Sequence, residues 1–266
     1  MCTLNKIFTR FKEGWYLRKE YVSVEGLPFS FAHISDLHFG DDAKFPSWVQ
    51  HSVYEFITNN AVQLLCVTGD LVDKDKNYVK QCLDFLYSLP VNYVVVSLGN
   101  HDEPLLDTFF QLANNYSPKI FLSINYSFFY NSTNFICLPD TFSHFYQEGL
   151  KKLDTLIDPF SFNVALSHNP NSFHDLLHTK INLVLSGHTH GGQIGGADWV
   201  RKIAIKLGLK SPICNTLRIN HEHDCFKLQG SVKEYGTHLH INNGLGYHKP
   251  MRMLCPPTIT IYKPHE

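Results

Sequence analysis

Short apolar runs and longer amphipathic segments alternate between residues 29 and 185. The short runs are rich in β-branched and aromatic residues and predict strands at 29–34, 64–67, 93–97, 135–138, 163–166 and 183–185. The segments between the early runs carry apolar residues at helical spacing and predict helices at about 47–60, 75–88 and 103–115. This order is typical of β-α-β units and indicates an α/β fold class.

A second pattern interrupts this alternation at residues 118–138. The run is rich in aromatic residues and broken by turn residues, which predicts antiparallel strands. Two mixed sheets with helices outside them accommodate both patterns. Because the sequence has no internal repeat and no low-complexity linker, we expect one folded domain at residues 29–266.

Two segments combine basic residues with apolar residues at helical spacing. In the first twenty residues the apolar positions are Leu4, Ile7, Phe8, Phe11 and Trp15, and in segment 199–210 they are Trp199, Ile203 and Leu207. Two interpretations of each segment remain open: an interfacial helix on an anionic lipid surface, or a helix that docks on the protein's own core. We therefore treat 1–28 as a basic amphipathic N-terminal segment and 199–230 as a possible insertion that faces a membrane or the substrate.

Composition narrows the possible partners and the location. The sequence has 23 Lys and Arg residues and 24 Asp and Glu residues, which gives a net charge of -1. The protein therefore has no overall positive potential that would attract a polyanion, and nucleic acid is not expected as a partner. The cysteines are odd in number, at 7, and none form a Cys-x-x-Cys pair, which is typical of a reducing compartment. We find no apolar stretch of about 18 residues and no signal-peptide core. These features predict a cytoplasmic protein.

Polar clusters follow five of the apolar runs. They are Asp36-Leu37-His38, Gly69-Asp70-Leu71-Val72-Asp73, Gly99-Asn100-His101-Asp102, His168-Asn169 and Gly187-His188-Thr189-His190-Gly191-Gly192. Any one of them has an ordinary explanation as a turn or a buried polar residue. Taken together they indicate one site, because ligands bind in open α/β sheets beyond the carboxyl ends of the strands.

The donor types in these clusters predict a metal site. Imidazoles, carboxylates and an amide, without cysteine, suit Mn, Fe, Co or Zn rather than a thiolate zinc site. The candidate donors are Asp36, His38, Asp70, Asn100, His168, His188 and His190. Seven donors exceed the needs of one tetrahedral ion, so two divalent ions about 3.5–4 Å apart are the better fit.

The ordered motifs Asp-x-His, Gly-Asp-x-x-Asp, Gly-Asn-His-Asp, His and Gly-His-x-His resemble those of the calcineurin-like metallophosphoesterase superfamily. The resemblance covers about residues 30–262. It implies a four-layer fold in which two mixed sheets pack as a sandwich flanked by helices. It also implies that the first ion is held by Asp36, His38, Asp70 and His190, and that the second is held by Asp70, as the bridge, together with Asn100, His168 and His188.

The same resemblance gives His101 a catalytic role. This residue matches a non-ligand histidine beside the scissile phosphate, and Asp73 matches the acid that holds it. An imidazolium held by a carboxylate stabilises phosphate oxygens and protonates the departing oxygen. Asp102 is expected to be a structural acid of its turn.

Further positions narrow the substrate. Asp73 is followed by Lys74 rather than the arginine of Ser/Thr protein phosphatases, which disfavours a phosphoprotein substrate. The stretch at 242–257 is similar to the end of a bacterial phosphodiesterase subgroup that includes a pyrophosphohydrolase of UDP-2,3-diacylglucosamine, although Asn243 and Thr258 replace its usual Arg and Glu. Arg252 is predicted either to contact a substrate phosphate or to form a surface ion pair.

The resemblance therefore implies hydrolysis of UDP-2,3-diacylglucosamine to UMP and 2,3-diacylglucosamine 1-phosphate in lipid A biosynthesis. The enzyme would use two divalent ions, with manganese first, and act peripherally on the inner face of the cytoplasmic membrane. Two alternatives remain open. One is a broad phosphodiesterase or phosphomonoesterase on soluble nucleotides, and the other is a scaffold that keeps the fold without catalysis.

Overall fold

The computed structural model of the chain describes residues 16–40, 44–192, 228–247, 252 and 255–265. The strands are β1 (Arg18–Val24), β2 (Phe31–Ser35), β3 (Leu64–Thr68), β4 (Tyr93–Ser97), β5 (Ile120–Leu122), β6 (Tyr126–Tyr130), β7 (Thr133–Cys137), β8 (Phe162–Leu166), β9 (Leu183–Ser186), β10 (Gly230–Glu234), β11 (Thr237–Ile241) and β12 (Thr258–Pro264). The helices are α1 (Ser47–Asn59), α2 (Val79–Ser88), α3 (Leu106–Ala113), α4 (Tyr146–Leu156) and α5 (Ser172–Leu176).

These strands form two mixed sheets of six strands each. The first has the order β1-β12-β2-β3-β4-β5, and the second has the order β10-β11-β9-β8-β7-β6. Strands β2 to β5 run parallel, as do β7, β8, β9 and β11. Antiparallel pairs join β12 to β2, β6 to β7 and β10 to β11. The predicted fold class and the expected pair of mixed sheets are confirmed.

Apolar residues fill three layers, which makes the fold a sandwich with helices outside. Successive residues of a strand point to opposite faces of its sheet. In β2, Phe31 faces the layer between the sheets, whereas Ala32 faces the helices. In β8, Val164 faces the middle layer and Ala165 faces the outer layer with α4 and α5. Strands buried on both faces read as continuous apolar runs, which is why the sequence reveals them.

All six strands predicted between residues 29 and 185 are present within two residues of the expected bounds, and 93–97 is reproduced without change. Helix α1 agrees with the predicted 47–60. The two other predicted helices are shorter than expected, because 3-10 turns at Lys76–Tyr78 and Glu103–Leu105 precede α2 and α3. Strands β1, β10, β11 and β12 and helices α4 and α5 were not predicted.

The antiparallel prediction for 118–138 is correct for part of the run. Strands β6 and β7 form an antiparallel hairpin, closed at Asn131 and Ser132, which both have positive φ as tight hairpin turns require. Strand β5 instead pairs parallel with β4 in the other sheet. Aromatic composition indicates that a segment is extended, but it does not indicate which strand that segment pairs with.

The N-terminal prediction needs a correction. Residues 18–20, which we included in an amphipathic helix, begin strand β1, and Arg18 pairs with Thr258 of β12. The boundary at residue 28 is therefore misplaced, since residues 18–24 are part of the first sheet. Residues 1–15 and segment 199–210 lie outside the described residues, as does most of the proposed insertion at 199–230. Within the described part of the chain, no helix is long and apolar enough to cross a membrane.

A buried polar chain crosses the apolar layer between the sheets. The hydroxyl of Tyr262 in the first sheet lies 3.2 Å from Nδ1 of His33 and 2.5 Å from Nδ1 of His240 in the second sheet. Nε2 of His33 lies 2.8 Å from the hydroxyl of Thr68. Burial raises the pKa of Tyr262 and lowers that of His33, so both groups stay neutral. These hydrogen bonds link the two sheets, and apolar side chains at the same positions could not form them.

We expect Tyr262→Phe to lower the free energy of unfolding by about 1–3 kcal/mol, because it leaves buried imidazole nitrogens without this partner. Equilibrium denaturation in urea measures the change. Tyr87→Phe is the matched control, since Tyr87 is 49% exposed, and it should change the free energy by less than about 0.5 kcal/mol. Equal stability of the two variants would contradict a structural role for the hydroxyl.

Candidate metal centre

The predicted donors lie on loops that leave the carboxyl ends of strands in both sheets. Asp36 follows β2, Asp70 follows β3 and Asn100 follows β4, all in the first sheet. His168 follows β8, and the loop with His188 and His190 follows β9, in the second sheet. Because the sheets pack face to face, these ends meet at one edge of the sandwich. The structure brings all seven predicted donors to this edge.

One group of donors consists of Asp36, His38 and His190. Their ligand atoms lie within 4.8 Å of one another, and all three residues are buried. Nε2 of His190 is 3.4 Å from Oδ1 of Asp36 and 3.0 Å from Nε2 of His38. Two imidazole nitrogens at this distance need a proton or a cation between them. The arrangement therefore suits a divalent ion.

A second group consists of Asp70, His168 and His188. Nε2 of His168 is 3.3 Å from Oδ2 of Asp70 and 3.3 Å from Nδ1 of His188. Oδ1 of Asn100 lies 3.1 Å from the same Nδ1. Nδ1 of His168 donates to the carbonyl of Thr68, at 2.9 Å, so Nε2 is the nitrogen that faces the group.

Asp70 connects the two groups. Its Oδ2 is 3.3 Å from His168 of the second group and 3.7 Å from Nε2 of His38 in the first group. Its Oδ1 accepts the backbone N–H of His101, at 2.9 Å. A carboxylate in this place has one oxygen available to both groups, as a bridging ligand requires.

The backbone at these donors is strained. Asp36, His38, Asp70, His188 and His190 all have φ between 46° and 67°, in the left-handed region that L residues other than glycine rarely occupy. Such conformations cost of order 1–3 kcal/mol each and persist only when the surroundings enforce them. Hydrogen bonds between neighbouring loops do so here: the N–H of Asp36 donates to the carbonyl of Gly69, and that of His38 donates to the carbonyl of Asp70.

Two glycines allow the loops to approach this closely. A Cβ on Gly187 would lie 1.7 Å from the hydroxyl oxygen of Ser35 and 2.3 Å from Oδ2 of Asp36. A Cβ on Gly99 would lie 2.4 Å from both the nitrogen and Oδ1 of Asp70. The contact between the β9 loop and the β2 loop therefore depends on the missing side chain.

Burial and charge set the protonation of the buried carboxylates. Burial raises the pKa of Asp36 to about 6, against the opposing effect of His168. Burial also raises the pKa of Asp70, but the neighbouring His168 outweighs it and holds that pKa well below the ordinary value. Burial and the charge of Asp70 raise the pKa of Asp102 to about 7. Asp70 therefore stays ionised, whereas Asp36 and Asp102 hold a proton more readily than an exposed carboxyl does.

Asp102 does not belong to either donor group. Its carboxylate accepts the backbone N–H groups of Leu71, Val72 and Gly99, at 2.9–3.1 Å. It thereby joins the loop after β3 to the loop after β4. This geometry agrees with the predicted structural role of Asp102.

His101 and Asp73 form a pair beside the donors. Nδ1 of His101 donates to Oδ1 of Asp73, at 2.7 Å. The ring of His101 packs edge-on against that of His38, with centroids 5.0 Å apart, so the pair lies directly against the first group. One further grouping of candidate metal ligands joins His101 to His38 and Asp70. His101 therefore lies against the first group with its Nδ1 held by Asp73.

Lys44 extends this pair, although no sequence pattern pointed to it. Its ammonium donates to Oδ2 of Asp73, the oxygen that His101 does not use. Burial raises the pKa of Asp73, but the hydrogen bonds from Lys44 and His101 outweigh it and bring the pKa to about 2. Asp73 is thus a carboxylate at neutral pH. No spacing rule connects Lys44 to Asp73, so only the folded chain reveals the contact.

One of the two predictions for Arg252, the surface ion pair, is wrong, and the contact to a substrate phosphate stays a prediction. It is 5% exposed, so it does not form a surface ion pair. Its guanidinium donates to the carbonyls of Gly246 and Asn243, and Nη2 lies 3.2 Å from Nδ1 of His190. These contacts attach the segment before β12 to the ring of a predicted ligand. Cys255 is buried, as expected of a small apolar residue.

The donor set as a whole fits divalent metal ions. Buried imidazole nitrogens face one another and two buried carboxylates at 3.0–4.0 Å. The donors are nitrogen and oxygen only, since the nearby thiol of Cys255 donates instead to the carbonyl of His190. Such a set suits a borderline or hard divalent cation.

The chain is similar to bacterial proteins and to a solved phosphatase structure. The chain is 26% identical to the UDP-2,3-diacylglucosamine pyrophosphatase LpxG of Chlamydia trachomatis, over 94% of this chain and 87% of that protein. It is 25% identical to the uncharacterized metallophosphoesterase YkuE of Bacillus subtilis, over 88% of this chain and 76% of that protein. It also superposes on a dimetal phosphatase from Danio rerio with a TM-score of 0.46 and 12% identity, covering 84% of this chain and 90% of that one.

The family model for calcineurin-like phosphoesterases matches residues 29–192. That range is more than half of the chain and contains every predicted donor, together with the loops that hold His101 and Asp73. The chain therefore belongs to the calcineurin-like phosphoesterase family, and it is a metal-dependent hydrolase of phosphoric esters.

Proposed function

We propose that this hydrolase cleaves the pyrophosphate of UDP-2,3-diacylglucosamine to give UMP and 2,3-diacylglucosamine 1-phosphate. The similarity to the Chlamydia trachomatis pyrophosphatase, which extends over 94% of this chain, is the observation that carries the substrate. A pyrophosphate between a nucleoside and a glycolipid carries two negative charges, which suits a site that gathers divalent cations.

In this proposal two divalent ions, with manganese first, occupy the two donor groups. Asp36, His38 and His190 would hold one ion, Asn100, His168 and His188 would hold the other, and Asp70 would serve both. When bound, such ions lower the pKa of water and neutralise phosphate charge. Nitrogen and oxygen donors also suit iron, cobalt and zinc.

His101 is the proposed general acid. It reaches the site from the loop after β4, and Asp73 holds its Nδ1, so the proton on Nε2 is the one available to the departing oxygen. A carboxylate partner stabilises the imidazolium form of the ring. Lys44 keeps Asp73 ionised and fixes the oxygen that His101 does not contact. These three side chains then act as one unit that delivers a proton on the side of the leaving group.

The rest of the proposal concerns location. The basic amphipathic residues at 1–15 and 199–210 would contact the inner face of the cytoplasmic membrane, where a diacylated substrate resides. The apolar and cationic side chains of these segments are the feature that supports it. The substrate itself is then the partner, with no role for nucleic acid.

A second candidate is a broad phosphodiesterase or phosphomonoesterase that acts on soluble nucleotides. Asn243 and Thr258 favour it, because the subgroup of diacylglucosamine enzymes usually has Arg and Glu at these positions. Both residues are buried here, and the carbonyl of Asn243 accepts from Arg252. The chain then lacks two charged groups that the lipid headgroup would contact.

The substrate is tested by phosphorus-31 NMR of the products from purified protein with Mn²⁺. With UDP-2,3-diacylglucosamine we expect signals of UMP and a sugar 1-phosphate, and much slower release from UDP-N-acetylglucosamine, which lacks the acyl chains. Equal rates on both compounds, or cleavage only of a soluble diester, would support the second candidate instead.

The metal proposal predicts that Asp70→Asn lowers the bound metal from about two ions per chain to one or none and lowers turnover at least about 10²-fold, because the shared carboxylate is lost. Elemental analysis and hydrolysis of bis-p-nitrophenyl phosphate measure the two effects. Asp75→Asn is the control, since Asp75 is exposed and its carboxylate accepts the backbone N–H of Asn77, away from the donors. Two ions retained in Asp70→Asn would refute the sharing.

The acid proposal predicts that His101→Asn keeps the metal content but lowers turnover by about 10² to 10⁴-fold, because the proton donor is removed. Lys44→Met should lower turnover about tenfold, because Asp73 loses the hydrogen bond that fixes its position. Lys44→Arg should restore much of the rate. Lys74→Met, at an exposed neighbour of Asp73, is the control. Loss of metal in His101→Asn would make this residue a ligand rather than the acid.

A further inference from the structure

Four strands form the edges of the two sheets: β1 and β5 in the first, β10 and β6 in the second. An edge strand presents unpaired backbone N–H and C=O groups, which another chain can pair with. Natural edge strands are protected by charged residues, prolines or short length. Strands β1 and β10 carry charges, at Arg18, Lys19, Glu20, Lys233 and Glu234, and β5 has only three residues.

Strand β6 has none of these protections. Its sequence is Tyr126-Ser127-Phe128-Phe129-Tyr130, without charge or proline. Among the described strands it pairs only with β7. Tyr126 is 66% exposed and Phe129 is 59% exposed. An apolar strand of full length is thus left with one side open in the described part of the chain.

The open strand is also held firmly in its extended conformation. Phe128 packs against Phe121 and Tyr93, with ring centroids 5.2 and 5.3 Å apart. The hydroxyl of Tyr130 donates to Oε1 of Gln63, at 3.0 Å. A partner strand would therefore meet a preorganised edge, which lowers the entropy cost of pairing.

We propose that β6 is a homodimer interface, where it pairs antiparallel with β6 of a second copy. A two-fold axis at Phe128 places Tyr126 opposite the partner's Tyr130 and Ser127 opposite the partner's Phe129. Each contact then occurs twice, as a closed two-fold interface requires. The two six-stranded sheets become one continuous sheet of twelve strands.

A second copy of this chain fits the edge of β6 better than a lipid surface does. An uncharged strand meets no like-charge repulsion when it pairs with itself, and aromatic residues opposite one another stabilise antiparallel pairs. A lipid surface would leave the open N–H and C=O groups without hydrogen bonds in an apolar medium. The edge therefore favours a protein strand, and the copy of the same chain supplies one with matching side chains.

The pairing is remote from the donors. Phe129 lies opposite Asn134, near the amino end of β7, whereas the metal donors follow the carboxyl ends of their strands. A charge at Phe129 should therefore change association without changing hydrolysis. This separation distinguishes a failed interface from a failed active site.

Sedimentation equilibrium of the full chain, at concentrations up to about 100 µM, tests the proposal. We expect a dimer for the unmodified chain and at least a tenfold weaker association for Phe129→Lys, since two lysines then lie in the pairing region. Phe160→Lys is the matched control, because Phe160 is 96% exposed outside the strands, and it should remain dimeric. Each variant is checked by circular dichroism and by hydrolysis of bis-p-nitrophenyl phosphate.

If Phe129→Lys fails to fold, Tyr126→Lys replaces it. A monomeric unmodified chain, or a dimer that persists in the lysine variant at the edge, overturns the proposal. Binding of the unmodified monomer to vesicles of anionic phospholipid, lost in Phe129→Lys, would assign the edge to lipid and overturn it as well.

Discussion

The apolar contact between the two sheets is the constraint on which the rest of the structure depends. Phe31 and Val95 of the first sheet and Phe135 and Val164 of the second are fully buried in this layer. Burying each such side chain contributes about 1.5–3 kcal/mol relative to exposure. The contact also fixes how the carboxyl ends of the two sheets meet, and the donor loops leave from these ends.

That constraint allows the chain to hold conformations that are unfavourable in isolation. Left-handed backbone at Asp36 and Asp70, and carboxylates that are almost fully buried, both raise the free energy of the folded chain. Neither feature contributes to packing. Both place oxygen and nitrogen atoms close to one point. The stability that the core contributes therefore offsets the free-energy cost of a preorganised site at its edge.

The sequence predicts the central strands well and the edges poorly, for physical reasons. Strands such as β3 and β8 are buried on both faces, and their continuous apolar runs are visible without a partner. Strand β1 begins with three consecutive charged residues, which the sequence pattern assigned to a basic amphipathic segment, and its pairing with β12 decides its conformation. Strand β5 is extended as predicted, yet its choice of sheet depends on tertiary contacts.

The donors of the site are predictable for a similar reason. Each follows an apolar run directly, so position along the chain implies position at the edge of a sheet. Lys44 and Arg252 do not have this property. The contact between Lys44 and Asp73 joins two loops, and the burial of Arg252 depends on the carbonyls of Asn243 and Gly246. Neither contact can be predicted from the residues that adjoin Lys44 or Arg252 in the sequence.

The placement of β12 has a consequence for the order in which the protein assembles. This strand lies between β1 and β2, although it is translated after every other described strand. Until β12 is in place, β1 has no paired strand among those that the structure describes. The turn at Gly244–Gly246, which donates the N–H of Gly246 to the carbonyl of Asp36, then also lacks the hydrogen bond from the N–H of Thr258 to Gly244. Completion of this edge of the sandwich therefore depends on the last of the described strands.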